Sequence, residues 1–94
     1  MIIVSGKVYV DPAVRDAYVA DSRQVVELAR AAPGCLDFTI TADPLEPGRV
    51  NIYERWESDG PLEAFRGSGP PDEQKAQILE ADVARYRISS VEAP

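Results

Sequence analysis

The stretch Arg49-Val50-Asn51-Ile52-Tyr53-Glu54-Arg55-Trp56-Glu57 alternates with period two: Val50, Ile52, Glu54 and Trp56 share one face, and Asn51, Tyr53 and Arg55 the other. That period belongs to a β-strand with one buried side. Just upstream, Asp43-Pro44-Leu45-Glu46-Pro47-Gly48 is a turn-rich connection. Before it, Cys35 to Ala42 alternates again, with Leu36, Phe38, Ile40 and Ala42 against Cys35, Asp37, Thr39 and Thr41. Two alternating runs across a short connection predict a hairpin.

Toward the N-terminus, Ile2 to Val10 places Ile2, Val4, Gly6, Val8 and Val10 on one face, which predicts a further strand. Asp11-Pro12 then supplies an N-cap and a proline suited to the first helical position. Val14, Ala17, Tyr18, Val25, Leu28, Ala29 and Ala32 follow at helical spacing, interrupted only by Asp21. Pro33-Gly34 stops that helix, because glycine accepts the left-handed backbone a helix end favours.

Downstream of Trp56, Ser58-Asp59-Gly60-Pro61 opens a short helix carrying Leu62, Ala64 and Phe65, closed by Gly67-Ser68-Gly69-Pro70-Pro71. Asp72 and Glu73 suit the first turn of a last helix holding Ala76, Ile78, Leu79 and Val83, since acidic groups favour helix N-termini. A final strand is predicted from Arg85 to Val91, with Tyr86, Ile88 and Ser90 on one face. The order β-α-β-β-α-(α)-β is the ferredoxin-like split βαβ pattern, an α+β fold with helices on one face of a four-stranded antiparallel sheet. The other face would carry Ile3, Ser5, Lys7, Tyr9, Thr39, Thr41, Asn51, Tyr53 and Arg55. So much apolar and aromatic area invites cover, and a second sheet packed there would close a dimeric α+β barrel.

Composition agrees with one domain over residues 1–94: 45% apolar and 28% charged residues suit a folded chain too short for two cores. So small a core gains little stability alone, and the single Cys35 excludes an internal disulfide, so association into a homodimer is the expected support. The net charge of −6 disfavours nucleic acid as a partner. No run approaches the roughly 20 apolar residues that cross a bilayer, and no basic region precedes Met1-Ile2-Ile3-Val4, so a cytoplasmic protein without a membrane partner is expected.

Chemistry narrows quickly. The chain has no histidine, which removes a Ser-His-Asp triad, a Cys-His pair and a histidine-bound haem, and leaves few metal ligands. Gly67-Ser68-Gly69 runs into prolines that cannot donate and lacks the Lys-Ser/Thr of a phosphate loop. Cys35, on the more polar face of its strand and with no cation near in sequence, reads as a structural thiol. Glu54 breaks the local rule. Its parity points it toward the helices, where a carboxyl is costly unless paired or protonated. It is a proton acceptor with a raised pKa, the partner of an arginine such as Arg85 or Arg87 on the last strand or one from a second subunit, or a carboxyl open to solvent near the strand end. Trp56, Phe38, Phe65, Tyr18 and Tyr86 either wall a pocket for a flat ring or form the core.

Several motifs taken together resemble a known family. Met1-Ile2-Ile3-Val4-Ser5-Gly6 with Val10-Asp11-Pro12, Pro33-Gly34-Cys35-Leu36, Glu54-Arg55-Trp56-Glu57 leading to Leu62-Glu63-Ala64-Phe65, and Asp82-Val83-Ala84-Arg85-Tyr86 look like the antibiotic biosynthesis monooxygenase domain, particularly its quinol monooxygenase-like members. The resemblance implies a homodimeric barrel that oxidises a hydroxylated aromatic or quinol with dioxygen and no cofactor. Of the matching residues the resemblance carries over Trp56; on the reading of the residues themselves Glu54 and Trp56 would be catalytic and Phe38, Phe65, Tyr18 and Tyr86 would bind substrate. Polyketide-tailoring relatives place an asparagine beside the tryptophan and many carry a histidine on or after the short helix; here Val50, Ile52 and Glu54 hold the former positions and Phe65 stands in the latter region. Those departures favour one alternative, a non-catalytic small-ligand-binding dimeric barrel; a second, since related barrels host such work, is an isomerase of a small metabolite that shuttles a proton through Glu54.

Overall fold

The computed structural model describes residues 1–67 and 75–94. Its elements are β1 (Ile2–Tyr9), α1 (Arg15–Asp21), α2 (Arg23–Ala31), β2 (Cys35–Ala42), β3 (Arg49–Trp56), α3 (Asp59–Arg66) and β4 (Glu80–Arg87). The strands form one antiparallel sheet in the order β2-β3-β1-β4, so the α+β ferredoxin-like fold read from the alternation is the fold observed. The hairpin turn is held by Asp43, whose Oδ2 accepts the backbone N–H groups of Leu45 and Glu46 at 3.0 and 2.8 Å. A short acceptor side chain at this position replaces the backbone partner that a turn lacks.

Apolar residues of one sheet face meet the helices in two clusters. Ile2, Val4, Phe38 and Trp56 pack with Ala29 of α2 and Leu62 of α3. Val8, Val10 and Val50 pack with Tyr18 of α1. The opposite face, carrying Ile3, Ser5, Lys7, Asn51, Tyr53 and Arg55, stays half-exposed. No helix among the described residues is long and apolar enough to cross a membrane.

Five local expectations are corrected. The single helix expected after Asp11-Pro12 is two, broken at Ser22, whose hydroxyl and N–H both donate to the Tyr18 carbonyl. Such back-bonding competes with the regular helical ladder. Asp11 does not cap that helix but closes a tight turn by accepting the Ala13 N–H at 2.9 Å, and α1 starts only at Arg15. Leu28, placed on the buried stripe, is 59% exposed, because the break shifts α2 out of phase with α1.

In β2 an irregularity between Cys35 and Asp37 expels Leu36, which is 42% exposed, and turns Cys35 toward the core beside Trp56. An extra residue in one strand reverses the alternation on one side of it. The last strand lies earlier than expected, at Glu80–Arg87, so Val83 belongs to β4 rather than to a helix and Ile88 and Ser90 lie beyond it. Its length is set by its partner. Leu79 N–H donates to Tyr9 and Ile88 N–H to Met1, the two ends of the β1 backbone available for pairing. Asp72 and Glu73 lie outside the described residues, while Lys75 and Ala76 are helical.

Candidate functional site

Strand β3 is central in the sheet, and its even positions face the helices as their parity requires. Glu54 sits there with Val4 of β1 on one side and Phe38 of β2 on the other. Its residue surface is 8% exposed, and Trp56, two positions on, is wholly buried. The Trp56 indole N–H donates to Glu54 Oε1 at 3.0 Å. A buried indole and a buried carboxyl thus satisfy each other, which is the usual condition for keeping either inside.

Aromatic rings enclose this pair. Phe65 of α3 meets Phe38 edge-on at 5.8 Å between centroids and lies over Trp56 at 5.5 Å, tilted by 35°. Both distances fall in the favourable range for aromatic pairs. The dry setting acts on the carboxyl: burial pushes the Glu54 pKa up, opposed by the Trp56 hydrogen bond and by the positive charge of Arg66 and Arg85. The group therefore holds its proton to higher pH than a solvated glutamate and is a better match to a weakly acidic phenol.

The arginines offered as ion-pair partners are engaged elsewhere. Arg85 donates through Nη1 to Asp59 Oδ1 at 2.8 Å and through Nη2 to Glu63 Oε1 at 2.7 Å, and Arg87 donates to Asp59 Oδ2 at 2.7 Å. No hydrogen bond from either reaches Glu54, whose partner is on its own strand. Neither Asp59 nor Glu63 stands out in the sequence, although their spacing of four on a helix presents both to one side.

Of the six residues singled out by sequence, four come together: Glu54, Trp56, Phe38 and Phe65. Tyr18 does not join them, since α1 covers the far end of the sheet and its ring packs on Val8, Val10 and Val50. Tyr86 lies on the other side altogether. It pairs with Ile3 in register, on the open face, and is 53% exposed. Cys35, turned inward, has its thiol pKa raised by burial and by the negative charge of Glu54 and Asp37, so it is a poor nucleophile. Among the described residues no group of three or more acidic, cysteine or histidine side chains is placed to hold a metal ion.

A four-stranded antiparallel sheet backed by helices, with a buried carboxyl and aromatic rings between the layers, defines a small α+β domain built to hold a polar group in an apolar interior. Residues 1–77 match the profile of the antibiotic biosynthesis monooxygenase family, and the chain belongs to that family. The fold recurs in a Nitrosomonas europaea structure bearing the antibiotic biosynthesis monooxygenase name, with a TM-score of 0.84 at 18% identity over 96% of this chain and 100% of that one. A Deinococcus radiodurans structure of the same name gives 0.77 at 20% identity, over 100% and 98% of the two chains. One from Chloroflexus aurantiacus gives 0.75 at 24% identity, over 98% and 96%. An uncharacterised protein of Synechocystis is 27% identical over 62 residues, which are 66% of this chain and 42% of the relative's length. The chain thus spans about two fifths of that relative.

Proposed function

We propose that this protein oxidises a hydroxylated aromatic or quinol with dioxygen, without a cofactor, and that Glu54 is the proton acceptor. The observation that carries the reading is the buried Glu54 carboxyl, hydrogen-bonded by the Trp56 indole, with Phe38 beside it on β2 and Phe65 packed on Phe38 and Trp56. Removal of the phenolic proton leaves an electron-rich anion, and that anion itself reduces oxygen. For an aromatic C–H the sum is substrate plus O2 giving a carbonyl product plus water: one oxygen atom enters the ring carbon and the other leaves as H2O with two hydrogens from the substrate. An apolar surrounding strengthens the hydrogen bonds that the developing charge receives. Family membership supports the same chemistry.

Oxygen-electrode traces with dihydroxynaphthalenes and anthrones test this. Enzyme-dependent uptake is expected with at least one compound, and Glu54→Gln is expected to slow it by about 10²–10⁴-fold, the usual worth of a general base. Absence of uptake across the panel overturns the reading. One observation favours a second reading, a barrel that binds a small ligand without turning it over: Trp56 is fully enclosed by protein and offers no free ring face. A compound that raises the melting temperature and is recovered unchanged under air would select it.

The working form in this proposal is a homodimer joined through the open sheet faces. In support, Arg55 carries on that face a buried Nε with no acceptor among the described residues. An unmet buried donor costs about 1–3 kcal/mol, and a second sheet laid over it would bring backbone and side-chain acceptors within reach.

A further inference from the structure

Arg85 stands in a particular relation to Glu54. Val4 of β1 pairs in register with Glu54 on one side and with Arg85 on the other, so the three residues form a row across the helix-facing side of the sheet. Two strand spacings, about 10 Å, separate the outer members. Arg85 spends both terminal nitrogens on α3, one on Asp59 and one on Glu63, which lie one turn apart on that helix. The same helix carries Leu62, fully buried against the sheet, and Phe65, the ring over Trp56.

Without the guanidinium, Glu63 would lose its cation and Asp59 would keep Arg87 alone, on the side of the sheet where Glu54 is buried. The charged and titratable groups around Glu54 among the described residues are Arg85 from β4, Arg66 together with the bound Asp59 and Glu63 from α3, and Cys35 from β2 with Arg30 of α2 behind it. Val4 and Phe38, its immediate neighbours across the sheet, carry no charge. Of the two arginines in the clasp, Arg85 stands in the row with Val4 and Glu54; Arg87, further along and 69% exposed, holds Asp59 alone.

We propose that Arg85 is a positioning residue for Glu54: from the edge strand it binds both α3 carboxylates, seats Phe65 over the site, and places a positive charge in the row of residues that holds the buried carboxyl. The inference rests on the reading of Glu54 as the working carboxyl. Its test is nonetheless independent of turnover, because Trp56 is the only tryptophan and its indole N–H reports directly on Glu54.

The single indole N–H resonance is followed against pH in the wild-type protein. It is expected to titrate with a midpoint above that of an ordinary glutamate, and Glu54→Gln is expected to abolish the transition. Arg85→Met is expected to move the midpoint upward by about half a pH unit, the effect of one charge roughly 10 Å away at a dielectric between those of protein and water. Arg85→Lys restores part of the shift, and Arg87→Met, which breaks one ion pair of the same clasp, leaves the midpoint in place. Glu63→Gln removes a negative charge from an exposed position, is expected to fold, and moves the midpoint down. A purely structural clasp would lower the melting temperature and leave these midpoints alone. Equal midpoints in wild type, Arg85→Met and Glu63→Gln, or equal shifts in the Arg85 and Arg87 variants, would overturn the inference. Failure of the oxygenase reading would instead show as absent oxygen uptake with the Arg85 shift intact.

Discussion

Glu54 and Trp56 form a pair in which each residue explains the other. The indole needs an acceptor once buried, and the carboxyl needs a donor. Trp56→Phe keeps most of the ring volume and removes the donor, so it is expected to cost about 1–3 kcal/mol in urea unfolding and to push the Glu54 pKa further up. The pH dependence of stability follows from the same burial. A carboxyl whose pKa is raised on folding stabilises the native state fully below its unfolded value, and that contribution is lost as pH rises through the folded value. Asp43 acts with the opposite sign: its pKa is lowered to about 2, first by the Asn51 hydrogen bond and then by the Glu46 and Leu45 N–H groups, so its contribution is present above the ordinary aspartate range and lost as pH falls through about 2. Urea midpoints of Glu54→Gln relative to wild type should therefore rise with pH, and those of Asp43→Asn should converge on wild type in acid. The inward direction of Glu54 was legible from parity alone. The identity of its partner was not, because Arg85 and Arg87 were equally reachable in a sequence that does not show α3 presenting Asp59 and Glu63 to them.

Elements obey their neighbours as much as their own sequence. Strand β4 is as long as β1 allows, and it is joined to β1 most closely at Gly6, where the backbone has φ +156° and a Cβ would stand 2.0 Å from the Asp82 carbonyl oxygen and 2.7 Å from the Val83 Cα. Gly6→Ala is expected to cost at least about 1–3 kcal/mol and to speed hydrogen exchange of β4 amides ahead of those in β2 and β3. Unchanged protection in β4 would contradict this account. Gly34 plays a similar part at the end of α2, with φ +82° and the Pro61 ring where a side chain would go, which lets α3 start against the α2 terminus. Periodicity found the four strands and the helical stretches of this layout, but not the break at Ser22, the irregularity at Leu36 or the true position of β4. The first two are backbone events produced by one hydroxyl and one unpaired residue, and neither leaves a period to detect.

At the scale of the molecule the sheet is covered on one side only. The described face beyond the helices forms an open depression of about 480 Å³, lined by Ser5, Lys7, Asn51, Tyr53, Asp82 and Tyr86. The single chain has a Cα radius of gyration of 13.6 Å. Small-angle scattering of the dimer proposed above should give a clearly larger value that falls toward the single-chain figure on dilution or in Tyr53→Arg, a substitution that adds a further cation to each of two apposed faces that already carry Lys7 and Arg55. A value matching one chain at every concentration would remove the dimer from the proposal.

Alternation of apolar and polar residues by itself determined the α+β class, the hairpin and the direction in which Glu54 and Trp56 point, because side chains on a strand can only alternate between two faces. Which aromatic residues meet them was decided by tertiary structure. Tyr18 went to the far cluster with α1, and Tyr86 to the opposite face, once β4 took its register from β1. Register and helix placement depend on contacts between segments distant in the chain, and those contacts set the free energy that local patterns do not record.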